Sequence, residues 1–173
     1  MERGYVQIYT GNGKGKTTAS LGLIMRALGN DFKVLLIQFL KGRDYGELHS
    51  LSKFESLKIS RYGRGVFIKS KENLTDEDVF LARNGYEHLK NALLSDEYDL
   101  IVADEILGTL RYDLISIDEI KNLIKIKNEK VEFVLTGRNA PQELIDMADL
   151  VTEMKEIKHY FKKGIMARKG IEK

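Results

Sequence analysis

The segment Thr10-Gly11-Asn12-Gly13-Lys14-Gly15-Lys16-Thr17-Thr18 carries a glycine at every second position from 11 to 15 and ends on Gly-Lys-Thr-Thr. A short run of β-formers, Tyr5 to Tyr9, precedes it. A helical stretch from about Lys16 to Leu28 follows, closed by Gly29. Glycines in such a loop allow a tight turn and remove side chains that would block close approach. Backbone N–H groups can then point inward and cradle phosphate oxygens, helped by the partial positive charge of the helix start. Lys16 supplies a full charge to the phosphates, and Thr17 offers a hydroxyl to a magnesium ion. The usual pattern begins with glycine where this chain has Thr10, so the loop is a variant of it. The strand before and the helix after are the context the pattern requires.

The rest of the chain alternates in the same way. Val34 to Leu40 is nearly all apolar, as expected of a strand buried on both faces, and Leu57 to Arg61 is a weaker strand. Thr75-x-x-Asp78 resembles a capping box and opens a long helix to about Leu94. Leu100 to Ala103 is another buried strand. Ser116-x-x-Glu119 is a proper capping box before a helix to about Lys127. Val131 to Leu135 reads as a strand, Pro141 as the first turn of a helix, and Leu150 to Met154 as the last strand. Apolar strands separated by helices predict an α/β fold: a P-loop NTPase-like (RecA-like) three-layer domain, its mostly parallel sheet flanked by helices. Residues 1–173 are expected to form one domain, with ligands at the C-terminal ends of the strands.

One such end carries two carboxylates, Asp104 and Glu105, after the apolar Leu100-Ile101-Val102-Ala103. Magnesium takes hard oxygen ligands and keeps several waters, so one or two carboxylates beside a phosphate suffice, and either residue can serve. The alternative is that Asp104 caps the helical stretch behind it. His49, His88 and His159 lack metal-ligand spacing. The Gly63-Arg64-Gly65 loop either touches a ligand or turns the chain.

The absence of cysteine excludes disulfides, thiolate metal sites and a cysteine nucleophile. Lys plus Arg number 28 against 26 Asp plus Glu, too even a balance to argue for a nucleic-acid partner on charge alone, and none is expected. The C-terminal end is locally basic (Lys155, Lys158, Lys162, Lys163, Arg168, Lys169) and is either a solvated tail or a contact for an anion. No apolar run is long enough to cross a membrane, and the N-terminus lacks the apolar core of a signal peptide. A cytoplasmic protein is expected.

From about Tyr5 to Ile171 the chain resembles the P-loop class of ATP:corrinoid (cob(I)alamin) adenosyltransferases. The blocks are YTGNGKGKTTAS, VLLIQFLKG with Gly46-Glu47 after it, IVADEI, VLTGRNAP, ADLVTEM and IKHYFKKGIMARKGIE, in that order. The resemblance implies attack of a reduced cobalt, Co(I), on the 5′ carbon of ATP, with triphosphate leaving. The phosphate loop is then expected to hold the triphosphate in reversed orientation, its terminal phosphate deepest. Carried over by position, Gly11, Asn12, Gly13, Lys14, Gly15, Lys16, Thr17 and Thr18 bind the polyphosphate, with Lys16 on the phosphates and Thr17 on magnesium. Glu105 matches the metal-side carboxylate, with Asp104 in support; Arg26 and Arg138 match nucleotide-side arginines. Lys16, Thr17 and Glu105 thus carry the catalytic burden. The family also implies a homodimer and a flavoprotein reductant. Many members carry Gly-Phe-x-Trp, whose aromatics help displace the corrinoid's lower ligand. Here the matching stretch is Gly65-Val66-Phe67-Ile68, with one aromatic a place out of register.

Overall fold

Six strands form one sheet in the order β3-β2-β4-β5-β1-β6, and every neighbouring pair is parallel. The strands are β1 (Val6–Thr10), β2 (Val34–Phe39), β3 (Leu57–Tyr62), β4 (Leu100–Asp104), β5 (Glu132–Thr136) and β6 (Leu150–Glu153). The helices are α1 (Lys16–Leu28), α2 (Gly46–Leu51), α3 (Asp76–Leu94), α4 (Ile106–Leu110), α5 (Ile117–Ile126) and α6 (Gln142–Ile145). This computed structural model describes residues 2–66, 68 and 70–172.

The expected three-layer α/β architecture holds, with a wholly parallel sheet. Side chains alternate across a strand. Leu36, Val102 and Val134 therefore join Ile24 and Leu28 of α1 in one core. Leu35, Ile37, Ile101, Phe133 and Leu135 point the other way and join Leu89 and Leu93 of α3 and Ile120 and Leu123 of α5. Every residue of β2 and β4 is buried, which accounts for their unbroken apolar runs. β6 departs from that pattern: all four of its residues are exposed at the sheet edge.

Both capping boxes form. Thr75 accepts from the Asp78 N–H, and Asp78 accepts in return; Ser116 and Glu119 do the same. Asp suffices at position 78 because its carboxylate also binds Arg64 Nε and Nη2, at 2.8 Å and 2.6 Å. That ion pair gives the Gly63-Arg64-Gly65 turn a fixed anchor on α3. Gly29 does not end α1 by a left-handed turn. It stays right-handed at φ −68°, and Asp31 takes the left-handed conformation at φ 58°. Pro141 stands one place before α6, a helix of a single turn.

The sheet's C-terminal edge turns sharply four times. The residues directly after β1, β2, β4 and β5 are Gly11, Leu40, Glu105 and Gly137, with φ of 100°, 57°, 61° and 146°. Each chain reverses on leaving the sheet, so the loops crowd over one edge. Among the described residues no helix is long and apolar enough to cross a membrane.

Candidate active site

The loop after β1 wraps its own lysine. Lys16 is buried at the start of α1, and its Nζ donates to the carbonyls of Gly11 at 2.7 Å and Gly13 at 2.8 Å. Burial lowers its pKa, an effect that Glu105 opposes. Space requires glycine at positions 11 and 13, and a φ of 123° favours it at 15. A Cβ on Gly13 would lie 2.6 Å from the Met154 carbonyl, to which the Gly13 N–H donates. Lys14 faces the other way, exposed, with its Nζ 2.8 Å from Glu172 and 3.2 Å from the Tyr160 hydroxyl. Glu172 raises its pKa first of all.

At the end of β4, Asp104 is fully buried and takes four donors from four places in the chain. Its Oδ1 accepts from Thr17 Oγ1 at 2.9 Å and Thr136 Oγ1 at 2.7 Å. Its Oδ2 accepts from Lys41 Nζ at 2.6 Å and Gln38 Nε2 at 3.3 Å. A carboxylate offers about four lone-pair sites, and here each has a partner. Asp104 is therefore not a helix cap. The residue preceding α4 is Glu105, in the left-handed conformation and making no side-chain cap.

That conformation sends the Glu105 carboxylate into the cleft instead. Its pKa is raised, by burial above all and then by Asp104, against the pull of Lys41, Lys16 and Arg138. Thr136 holds its backbone, accepting from the Glu105 N–H at 2.9 Å.

One cleft of about 1240 Å³ joins these groups. Asn12 to Thr18, Lys41, Glu105 and Arg138 line one part of it; Val66, Ile68, Leu107, Leu110 and Tyr112 line another. Its volume exceeds the roughly 300–1,000 Å³ of a drug-sized ligand site, so it has room for two reactants. The Ile68 carbonyl is fixed by the Tyr112 hydroxyl at 2.7 Å. Phe67 lies outside the described residues.

Of the residues singled out by sequence, the structure brings Asn12, Gly13, Lys14, Gly15, Lys16, Thr17, Thr18, Glu105 and Arg138 to the cleft wall. Gly11 stands just behind it, accepting from Lys16, and Asp104 backs Thr17. Arg26 is not brought there. It is exposed in the last turn of α1, about 15 Å along the helix axis from Lys16 at 1.5 Å per residue. The basic C-terminal run divides. Lys162 pairs with Glu156 and Arg168 with Glu172, each an exposed cation on a largely covered carboxylate, while Gly170, Ile171 and Glu172 reach the cleft. The sequence reading missed Lys41 and Gln38. A lysine just past a buried strand, at the same edge as Asp104, and an amide inside an apolar run were the available signals.

Hard oxygen donors meet at the loop: the Thr17 hydroxyl and the Glu105 carboxylate. Among the described residues no three His, Cys, Asp or Glu side chains group closely enough to hold a metal ion. The set suits magnesium shared with a polyphosphate, the ion that keeps most of its ligands as water and phosphate oxygen.

Comparison with known proteins agrees with the geometry. The family model for ATP:corrinoid adenosyltransferase BtuR/CobO/CobP matches residues 2–172. The corrinoid adenosyltransferase of Sinorhizobium sp. is 36% identical over 99% of this chain and 81% of its own length. Those of Pseudomonas aeruginosa and Escherichia coli K12 are 34% and 30% identical, each over 99% of this chain and over 84% and 86% of their own lengths. An intact glycine loop, a strand-end carboxylate pair and near full-length similarity place this chain in the ATP:corrinoid adenosyltransferase family.

Proposed function

We infer that this protein transfers the 5′-deoxyadenosyl group of ATP to the Co(I) of a reduced corrinoid and releases triphosphate, a step of adenosylcobalamin formation. The observation that carries this is the continuity of the cleft, from a polyphosphate grip at one end to an apolar wall with Tyr112 at the other. The cobalt is substrate and nucleophile. The Co–C bond forms as the C5′–O bond breaks, and the bonding pair leaves with the triphosphate. No nucleophile is needed from the protein, which suits a chain without cysteine.

The protein's contribution is position and charge. The loop amides, Lys16 and Arg138 meet the negative charge of the polyphosphate. Glu105 and Thr17 would hold magnesium, with Asp104 orienting Thr17 from behind; bound there, the ion would supply positive charge for the departing chain. The buried loop end takes the terminal phosphate, so the ribose carbon faces outward and attack at the γ-phosphorus is disfavoured. Gly11 shapes this loop, and Arg26 stands outside the cleft lining. Residues 1–173 act as one unit. Subunits pair as a homodimer, a reading supported by the exposed Leu150 and Val151 of β6 and by Ile157, Phe161 and Met166 beyond it. The electron arrives from a flavoprotein in the cytoplasm.

The test is incubation with ATP, Mg²⁺ and a chemically reduced corrinoid. Triphosphate release matched by formation of the cobalt–carbon bond is expected; ADP and phosphate alone would overturn the assignment.

A further inference from the structure

The polyphosphate grip uses the end of β1, and the carboxylates stand at the end of β4. The loop after β2 also reaches the site, with chemistry the reaction has not yet required. β2 pairs with β4 so that Gln38 stands opposite Asp104. Gln38 is fully buried, its Nε2 on Asp104, and its Oε1 has no hydrogen-bond partner among the described residues. Leu40 then takes the left-handed conformation at φ 57° without being glycine. A non-glycine residue held there is strained and persists only where its surroundings demand it. The turn brings Lys41 back over Asp104 Oδ2 at 2.6 Å and Thr17 Oγ1 at 3.1 Å. The Lys41 side chain is only 19% exposed, yet it lines the cleft.

We propose that Lys41 is a positioning residue for the polyphosphate: a built-in cation that holds Thr17 and Asp104 in place and sets how much of the grip must come from magnesium. This rests on the reading that the loop after β1 binds polyphosphate. A hydroxyl has one donor and two lone pairs. Thr17 gives its proton to Asp104 and accepts from Lys41, which leaves one lone pair for a metal. Two cations thus converge on one hydroxyl, one tethered and one mobile. Without the ammonium, Asp104 keeps only three neutral donors and lies beside Glu105, so the local negative charge rises. Polyphosphate alone is then repelled, whereas magnesium is drawn in more strongly. Lysine suits this role, being a compact point charge on a flexible stem. The ring of Tyr45, whose centroid is 5.9 Å from Nζ, flanks it.

Calorimetric titration of the full chain with inorganic tripolyphosphate, in excess chelator and across a Mg²⁺ series, decides the matter. Lys41→Met and Lys41→Gln should bind about tenfold more weakly than the unaltered protein in chelator, the loss of one charge-assisted contact. At saturating Mg²⁺ the deficit should shrink to about threefold or less. Lys41→Arg keeps the charge and should stay within about threefold in both. Lys41→Gln and Lys41→Arg retain a donor for Asp104, so they decide the question should Lys41→Met not fold. Equal affinities in chelator, or a deficit that Mg²⁺ leaves unchanged, would overturn the proposal. Lys16→Ala is titrated alongside. Should it too bind tripolyphosphate normally, the phosphate-loop reading itself fails. Loss in Lys16→Ala beside unaltered Lys41 variants removes only Lys41.

Discussion

Lys14 and Lys16 stand two residues apart in one loop and meet opposite surroundings. Lys16 turns inward, with its charge opposed by burial and two of its three donors on the loop's own carbonyls. Lys14 turns outward to Glu172, which also gathers Arg168 and the Tyr160 hydroxyl. Behind Lys16 lies Asp104, which also gathers donors, but from α1, β2, the loop after β2 and β5. Two carboxylates thus flank the loop with similar partners. Burial separates them: a lost partner at Asp104 leaves a charge without solvent, while Glu172 keeps some exposure and its cations, Lys14 and Arg168, are open to water. The inner hub fixes the loop, and the outer one fastens the C-terminal segment to it in a releasable way.

The largest expected effect tests that contrast directly. Asp104→Asn leaves the Lys41 ammonium buried without its counter-charge and should cost about 3–5 kcal/mol in urea unfolding. Glu172→Gln should leave the urea midpoint in place. Equal losses would erase the distinction. Next, Lys16→Ala should lower kcat about 10²–10³-fold, the usual loss for one donor to developing negative charge. Lys14→Ala should keep kcat within about threefold of the parent while exposing residues 155–172 to faster proteolysis. A Lys14→Ala protein as slow as Lys16→Ala would show that both lysines serve the phosphates. In a Mg²⁺ titration of turnover, Glu105→Gln should need about tenfold more metal, from the loss of one charged ligand; an unaltered titration would remove Glu105 from the metal's surroundings.

Glu119 adds a third carboxylate, one paired with a half-exposed arginine. Arg83 above all holds its pKa down, to about 2 from 4.5. A depressed carboxyl stabilises the folded state above its unfolded pKa, and that support drains as pH falls from about 4.5 toward 2. Glu119→Gln retains the capping geometry and should cost under about 1 kcal/mol at pH 7, since its partner Arg83 is 42% exposed and screened by solvent. Across the acid window the variant should lose less stability than the parent. Parallel curves would show that ionisation of Glu119 contributes nothing to folding.

Much of this was legible in the sequence. All six strands and the three longer helices, α1, α3 and α5, followed from apolar runs, capping boxes and the glycine loop, and Pro141 marked the single turn of α6. The exposure of β6 was not, because a short apolar run reads the same at a sheet edge as in its middle. α2 has six residues and no side-chain cap to announce it. Within the site, glycine marks two of the four turns, at Gly11 and Gly137. The others fall on Leu40 and Glu105, where the same conformation carries no local signature. Lys41 was missed for that reason: without the turn at Leu40, nothing in QFLKG aims its lysine at Asp104. Arg26 falls outside the cleft lining for the converse reason: position along α1, not residue type, decides what it reaches.

The left-handed turn at Glu105 also bears on how such a sequence drifts. Glycine would relax this backbone, and it would spare the chain a half-buried carboxylate whose ionisation the surroundings resist. Glu105→Gly should therefore melt later than its parent and turn over nothing. Laboratory evolution for heat tolerance alone would be rewarded for erasing this side chain, and a library enriched in glycine at that position would be a record of catalysis traded away.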